Sequence, residues 1–296
     1  MMGRLFLLLI TFLIGFDCTA IEVVDDSGKL IKLNKPAKRV ITLAPHLTEM
    51  MFAIGKGNVV VATVSYSDFP MQAKQIPRLG GFENAKLESI LAFNPDLILA
   101  WNSGNNLQQL AVLENFGLTL YRDNPKKVQD VARTLRNIGI LTGSSESEQV
   151  ANDFLRELDN IKDKYRKRAP VRVFYQFWDD PVYTINGEHY ITDVLAICGM
   201  ENVFASMVQL SAPVNREAII KANPEMIIAA GMNGVDKDWM EKWRKWREIK
   251  AVKYNNLFTS NPDWLHRHTP RLLLATEQIC KYGDQARKNM HIKKTD

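Results

Sequence analysis

Aromatic side chains beside acids or amides follow four of the predicted β-strands in this 296-residue chain. The groups are Tyr66 with Asp68, Trp101 with Asn102, Phe177 and Trp178 with Asp179, and Trp264 with Asp263. Phe82, which follows a pair of glycines, is a further candidate. Ligands of open α/β sheets bind at the carboxyl ends of strands, where rings supply contact area and polar groups fix orientation. The pattern predicts an aromatic ligand cleft; rings that only cap each sheet as core residues are the alternative.

The predicted cleft contains few cations. Arg122 and Arg267 are the main ones, and they stand against a larger set of acids, namely Asp68, Asp179, Asp180 and Asp263. A site built for a polyanion needs more arginine than this, because guanidinium groups match anionic oxygens best. The cleft therefore favours a bulky, partly apolar ligand that is rich in neutral amides.

Three of the five histidines could bring metal chemistry to the same cleft. His46 follows the first strand of the first predicted lobe, and His266 and His268 follow Trp264. Imidazole nitrogens are common metal ligands, although loop histidines that hydrogen-bond to the backbone fit the same positions. We include His46 among the ligand-binding candidates, assign no metal ligand and expect no resident cofactor.

The sequence lacks the common catalytic signatures. It has no G-x-S-x-G, P-loop or H-E-x-x-H pattern. The formal net charge of +5 is mild, and its basic residues form no stripe that could follow a phosphate backbone. We expect a binding protein that is not an enzyme and that binds no nucleic acid; an exported enzyme with histidine metal ligands is the alternative.

Predicted strands and helices alternate along the chain, which implies parallel sheets with crossover helices. Residues 47–60 (LTEMMFAIGKGNVV) resemble residues 191–204 (ITDVLAICGMENVF). Residues 87–100 (LESILAFNPDLILA) resemble residues 216–229 (REAIIKANPEMIIA), and the two pairs occur in the same order. The sequence therefore predicts an α/β fold of two similar lobes, each with a central, mostly parallel sheet.

A segment without glycine or proline separates the two repeats. Within residues 145–168 the apolar side chains recur at helical spacing, at Val150, Phe154, Leu158, Ile161 and Tyr165. This predicts one long helix that joins the lobes, with a surface helix of a single lobe as the alternative. The predicted boundaries are a signal peptide at 1–20, an N-terminal lobe at 21–144, the linking helix at 145–168, a C-terminal lobe at 169–283 and a basic flexible tail at 284–296.

The N-terminus predicts export. Arg4 precedes an apolar run at residues 5–16, and Ala20 offers a small residue for cleavage, as in a secretory signal. A lipoprotein signal acylated at Cys18 is the alternative, which the preceding acid disfavours. Cleavage leaves Cys198 and Cys280, which permit one disulfide in an oxidising compartment or two separate buried thiols.

Seven stretches carry a resemblance to a known family: RVITLAPHLTE, VSYSDFP, LESILAFNPDLILAW, RVFYQF, CGMENVF, NREAI and SNPDW. The chain resembles the periplasmic cobalamin-binding proteins of ABC importers, within the helical-backbone class of solute-binding proteins. The resemblance implies contacts to the ligand from Tyr66, Trp101, Phe177, Asp263 and Trp264. It also implies a disulfide between Cys198 and Cys280, and it implies that Glu88 and Glu217 dock on a permease dimer.

Three positions depart from the family pattern. Phe82 stands where the family has a pocket tryptophan, no tryptophan occurs around residues 211–213, and His46 replaces a small residue. Haem and a ferric siderophore are therefore alternative ligands. From the resemblance we expect a monomeric periplasmic protein that captures cobalamin between its lobes and delivers it to an ABC permease dimer in the inner membrane.

Overall fold

The computed structural model describes residues 20–83, 85–231 and 236–292, so the predicted signal peptide and Cys18 lie outside the described residues, apart from Ala20. The strands of the first half are β1 (Ile21–Val24), β2 (Leu30–Leu33), β3 (Val40–Thr42), β4 (Val60–Thr63), β5 (Leu97–Trp101) and β6 (Leu120–Asp123). Its helices are α1 (Pro45–Ala53), α2 (Leu87–Ala92), α3 (Leu107–Asn115) and α4 (Asp130–Thr142).

A long helix, α5 (Ser147–Tyr165), leads into the second half. The strands there are β7 (Val171–Gln176), β8 (Tyr183–Ile185), β9 (Met200–Asn202), β10 (Ser211–Pro213), β11 (Met226–Ala229) and β12 (Leu257–Thr259). The helices are α6 (Tyr190–Ile197), α7 (Arg216–Ala222), α8 (Asp236–Trp243), α9 (Lys250–Lys253), α10 (Pro262–Leu265) and α11 (Leu272–Ile292). Within the described ranges, no helix combines the length and apolar character that crossing a membrane requires.

Each half contains a four-stranded parallel sheet with the same topology. The spatial order is β4-β3-β5-β6 in the first lobe and β9-β7-β11-β12 in the second. In both sheets the second strand in chain order lies at the edge, next to the first. Helix α1 occupies the place of α6, and α2 that of α7, as the repeated sequences predict. The predicted two-sheet α/β fold is confirmed.

The side chains of each central strand alternate between two apolar layers. In β5, Leu97 and Leu99 face one cluster, while Ile98 and Ala100 face another. The same alternation in β7 places Val173 on the first of these clusters. Successive residues of a strand point to opposite faces, so burial on both faces requires the continuous apolar runs seen here. The cluster that contains Leu97 and Val173 is shared by both lobes, and α5 crosses it.

Helix α5 is shorter at both ends than the predicted segment 145–168. Ser144, rather than Ser145, accepts hydrogen bonds from the backbone N–H groups of Glu146 and Ser147, which starts the helix later. The other end closes in a turn in which the Arg168 N–H donates to the Tyr165 carbonyl. One apolar face, including Phe154 and Leu158, is buried in the shared cluster. The helix thus fastens both sheets to one core.

The disulfide between Cys198 and Cys280 is confirmed. It joins the C-terminal end of α6 to α11, and its sulfur atoms are 1.99 Å apart. Both cysteines are fully buried. The bond therefore fixes α6 to α11.

The predicted flexible tail at 284–296 is wrong for residues 284–292, because α11 continues to Ile292. Ala286 is buried against the shared core. The Arg287 guanidinium donates to the carbonyl oxygens of Ala169, Cys198 and Gly199 at 2.7–2.9 Å. Buried apolar contacts and satisfied backbone acceptors hold this segment helical despite its basic composition. Residues 293–296 lie outside the described part of the chain.

Candidate functional site

A cavity of about 300 Å³ lies between the lobes at the carboxyl ends of β5 and β7. A second cavity of about 240 Å³ shares part of its wall. The residues common to both are Trp101, Ser103, His189, Tyr190 and Leu210. The position agrees with the rule that open parallel sheets bind ligands beyond the ends of their strands. We call the two cavities together the cleft.

Aromatic rings form both sides of the cleft. Trp101 comes from the first lobe, and Tyr175, Phe177 and Tyr190 come from the second. The Phe177 ring packs edge-on against Tyr183, with ring centroids 5.8 Å apart. Rigid rings of this kind offer a large contact area at a low conformational cost. The wall suits a broad, partly apolar ligand.

Trp101 is held in place by an amide side chain and by a glycine. The backbone N–H of Trp101 donates to Asn105 Oδ1 at 2.6 Å, and Asn105 Nδ2 donates to the carbonyls of Leu43 and Phe82 at 2.8 and 2.7 Å. A Cβ at Gly104 would lie 2.0 Å from the Trp101 ring, so only glycine allows this ring to pack there. The loops after β3 and β5 are thereby tied together under the ring.

The start of α6 presents His189 and Tyr190 to the cleft. His189 caps the helix, because its Nδ1 accepts the Ile191 N–H at 3.2 Å. The Tyr190 hydroxyl donates to the Leu265 carbonyl at 2.8 Å. The ring of His268 lies edge-on to Tyr190, with centroids 4.1 Å apart. Hydrogen bonds and ring packing therefore fix both side chains before any ligand arrives.

Three histidines and two tyrosines that line the cleft are uncharged at neutral pH, whereas Lys126 and Glu188 are the charged residues of its lining. Burial, and then the charge of His266, lowers the pKa of His189 to about 4, and burial lowers the pKa of His266 to about 4. Burial is also the main cause that lowers the pKa of His268 well below its usual value. Burial raises the pKa of Tyr175 and Tyr190. These five groups give the floor polar atoms without net charge.

Ion pairs cross between the lobes beside the cleft. Arg267, from the loop after α10, donates to Asp68 Oδ1 at 3.1 Å and to the Tyr66 carbonyl at 3.2 Å. It also pairs with Asp263 at 2.8 Å. Tyr66 has a φ of 66°, a left-handed conformation that is uncommon for a bulky residue. The contact to its carbonyl oxygen helps to hold that conformation.

A second ion pair between the lobes, formed by Arg271 and Glu49, is more deeply buried than that of Arg267 with Asp68. Arg271 Nε donates to Glu49 Oε1 at 2.6 Å, and its Nη2 donates to Glu49 Oε2 at 2.5 Å. The Arg271 guanidinium also lies over the Phe69 ring, 3.7 Å from its centroid. Glu49 belongs to α1 of the first lobe, and Arg271 directly precedes α11 of the second. The described conformation is therefore a closed one in which carboxylates neutralise Arg267 and Arg271 beside the cleft.

The family model for periplasmic binding proteins matches residues 40–263, which include both central sheets and α5. The chain belongs to the periplasmic binding protein family. Families of this kind are defined by binding, and the two-lobed architecture around the cleft agrees with that assignment.

Relatives of this periplasmic binding protein cover nearly its whole length. It is 33% identical over 263 residues to the vitamin B12-binding protein of Vibrio parahaemolyticus, covering 88% of this chain and 94% of the relative. The crystal structure of the periplasmic vitamin B12 binding protein of Vibrio cholerae matches with a TM-score of 0.80 at 34% identity, covering 86% and 99% of the two chains. These identities confirm the resemblance on which the sequence prediction rested.

A haem-binding relative shares the fold alone. The periplasmic haem-binding protein from Roseiflexus superposes with a TM-score of 0.73 at 20% sequence identity, covering 84% of this chain and 99% of that one. Proteins with different ligands therefore use the same two-lobed architecture. The choice among ligands has to come from the cleft of this chain.

The structure brings Trp101 and Phe177 together in the cleft wall, among the ligand-binding residues that the sequence suggested. Phe82 lies beside Trp101, with ring centroids 6.1 Å apart. His46 is buried behind Trp101, 5.4 Å between centroids. The remaining candidates do not line the cleft. Tyr66 is 71% exposed and Trp178 is 49% exposed. Asp263 pairs with Arg267, and Trp264 packs on the shared core.

The sequence analysis did not nominate His189, Tyr190, Leu210 or Ser211, which also line the cleft. The internal repeat could have found Tyr190. Residues 47–60 align with residues 191–204, so the position before each block pairs His46 with Tyr190. For Ser211 the signal was the tryptophan that the family pattern has around residues 211–213. Leu210 directly precedes β10, whose pairing with β8 brings both residues to the cleft.

Proposed function

We propose that this periplasmic binding protein captures a cobalamin in the cleft and delivers it to the permease of an ABC importer. The observation that carries the proposal is an aromatic cleft at the strand ends of both lobes, whose charged lining residues are one lysine, Lys126, and one acid, Glu188. The identity of about a third to vitamin B12-binding proteins over most of the chain supports the same ligand. A corrinoid presents a broad ring and a rim of neutral amides, which aromatic walls and uncharged histidines can contact.

Haem is the second candidate, and the arginines near the cleft argue against it. The two haem propionates need cationic partners, since buried carboxylates must be paired, and Lys126 is a single cation among the described residues that line the cleft. Arg267 is engaged by Asp68 and Asp263, and Arg122 pairs with Glu114 at 2.8 Å. A neutral corrinoid does not require these pairs to be broken for charge reasons. The same argument disfavours an anionic ferric chelate.

Cobalamin entry requires the lobes to separate. Pockets for drug-sized ligands have volumes of about 300–1,000 Å³, and a corrinoid is larger than such ligands. The cavities of about 300 and 240 Å³ are therefore too small in the closed conformation. We propose an open form in which the pairs of Arg267 and Arg271 across the lobes are broken or rearranged, with the ligand taking the space between Trp101 and Phe177.

Calorimetry of the purified protein with cyanocobalamin, haemin and a ferric siderophore tests the ligand. We expect binding of cyanocobalamin with one ligand per chain. Replacing Trp101 by alanine should weaken that binding by about 1–3 kcal/mol, as for other buried interface aromatics. Phe116→Ala, on an exposed ring at the end of α3, is the control and should bind as the wild type does. Tight binding of haemin with no measurable cobalamin binding would overturn the proposal.

The permease would dock on matched acids of the two lobes. Glu88 lies in the first turn of α2 and Glu217 in the first turn of α7, and both are exposed. These helices occupy equivalent places in the two lobes, so the two carboxylates fit a two-fold symmetric partner. Attraction between exposed charges is screened by salt, so docking should weaken as ionic strength rises.

Charge reversal at both positions tests the docking. We expect Glu88→Lys with Glu217→Lys to abolish transport in vesicles that contain the importer, while calorimetry still shows wild-type ligand affinity. Reversal of Glu157 and Glu201, two other exposed acids, is the matched control and should leave transport intact. Loss of ligand affinity in the first variant would instead assign these acids to the cleft or the fold.

We further propose that the protein acts in the periplasm as a monomer. The basic start, apolar run and Ala20 support export, and a buried disulfide supports an oxidising compartment. One chain supplies both walls of the cleft, so the site needs no second copy.

A further inference from the structure

Three buried side chains from both lobes meet behind Trp101. His46 lies on α1 and Asp123 ends β6 in the first lobe, while His268 lies between α10 and α11 in the second. One ligand atom from each can be chosen so that all three lie within 4.8 Å of one another. His46 Nε2 and Asp123 Oδ2 are 3.0 Å apart, and the rings of His46 and His268 are in edge-on contact at 5.0 Å between centroids.

The hydrogen bonding of this cluster is incomplete. His268 is 3% exposed, and its Nδ1 has no hydrogen-bond partner among the described residues. The neighbouring Thr269 Oγ1 is likewise buried and without a partner in the described part of the chain. Buried polar atoms are nearly always paired, because an unpaired one has lost its hydrogen bond to water and has no protein partner to replace it. An unpaired nitrogen on an imidazole that contacts another histidine, itself bonded to a carboxylate, indicates a missing partner.

We propose that His46, Asp123 and His268 form a binding site for a divalent transition-metal ion of the zinc class. Two imidazole nitrogens and one carboxylate oxygen form a donor set that zinc-class ions favour. Calcium and magnesium instead favour sites made of oxygen alone. Three protein ligands leave a fourth position for water. His268 also lines the cleft, but the proposal does not rest on cobalamin binding, since it is argued from the three side chains alone.

The geometry needs only a local adjustment. Zinc–nitrogen and zinc–oxygen bonds of about 2.0–2.2 Å place neighbouring tetrahedral ligands about 3.3–3.5 Å apart. His46 and Asp123 are already near this separation, so the ring of His268 has to move closer. The His46 proton moves to Nδ1, so that Nε2 exchanges its hydrogen bond with Asp123 for the bond to the metal.

A neighbouring hydroxyl orients the carboxylate. Asp123 Oδ1 accepts a hydrogen bond from Thr134 Oγ1 at 2.7 Å, which leaves Oδ2 directed to His46. Fixed outer partners of this kind hold metal ligands in position. Because His268 belongs to the other lobe, a bound ion would join the two lobes and support the Trp101 ring, whose centroid is 6.0 Å from that of His268.

Titration of the full mature protein, purified without a histidine tag and stripped with a chelator, tests the site. We expect one equivalent of Co²⁺ to bind with visible d–d absorption bands and one equivalent of Zn²⁺ to displace it. His268→Ala and Asp123→Asn should each weaken Co²⁺ binding at least tenfold. His291→Gln, which changes an exposed histidine of α11, is the control and should bind as the wild type does.

Two results would overturn the assignment. One is a wild-type protein that binds neither ion at 0.1 mM protein, a concentration about a hundred times a micromolar dissociation constant. The other is wild-type affinity in the folded His268→Ala and Asp123→Asn variants. If those variants fail to fold, cobalt-edge X-ray absorption of the wild type decides, because the site requires two imidazoles on the metal. Calorimetry with cyanocobalamin on the stripped protein keeps a failure here separate from a failure of the proposed function.

Discussion

Replacement of Arg271 by methionine should lower the free energy of unfolding by about 3 kcal/mol, because it leaves Glu49 buried without its main partner. The Glu49 side chain is only 3% exposed and receives two hydrogen bonds from Arg271. Arg267, at 3.8 Å, remains as a weaker partner, which places the loss at the lower end of the range for broken buried pairs. Urea unfolding followed by tryptophan fluorescence measures it.

A second substitution separates the charge from the packing. Arg271→Met replaces the guanidinium over Phe69 with an apolar side chain, and adding Glu49→Gln removes the stranded charge. We expect the double variant to regain part of the stability that the single variant loses. Arg156→Met breaks an exposed pair with Asp153 on α5 and is the matched control, with no measurable change in stability expected, because water screens exposed pairs. Equal losses in the single and double Arg271 variants would show that packing, not the buried charge, is responsible.

Removal of the disulfide should lower the free energy of unfolding by about 4–5 kcal/mol. Cys198 and Cys280 are separated by 82 residues, and the chain-entropy model gives this loss for a loop of that length. Replacement by alanine is the better test, because both positions are fully buried and a serine would bury a hydroxyl. The measurement is the free energy of unfolding in urea for the oxidised wild type and for Cys198→Ala with Cys280→Ala.

The reduced wild type provides the control for that pair of substitutions. The wild type is reduced while it is unfolded and is then refolded under conditions in which its thiols cannot pair. Its free energy of unfolding should match that of the double alanine variant within about 1 kcal/mol, since alanine differs from a thiol mainly in volume. If the oxidised protein were no more stable than either, the bond would contribute nothing to the native state.

The fold could be predicted from the sequence because its signals are local or repeated. Continuous apolar runs such as that of β5 mark strands buried on both faces, and the matched blocks around α1 and α6 predict two lobes of one kind. Trp101 and Phe177 were found by the same reasoning, since both stand where a strand ends. Elements whose neighbours in sequence are their neighbours in space are the ones that sequence reasoning recovers.

The rest of the site depends on contacts between distant segments. Arg267 meets Asp68 across 199 residues, and nothing in either local sequence shows that the two lobes close on each other there. Asp123 is the last residue of β6, and the aromatic residue of that strand, Tyr121, is fully buried inside it, so the pattern of aromatic residues after strands did not point to Asp123. The end of α11 was predicted as a tail because its basic residues dominate the composition, whereas Ala286 and Arg287 on one face decide its structure.

The apolar cluster that α5 crosses has a consequence for how the molecule loses its structure. It runs without interruption from Val23 in the first lobe to Ala286 in the last helix. Neither lobe can melt without exposing apolar surface that the other covers, so the two lobes form one cooperative unit despite their separate sheets. A substitution that weakens one lobe lowers the melting temperature of the whole chain, and a ligand that binds between the lobes raises it for both.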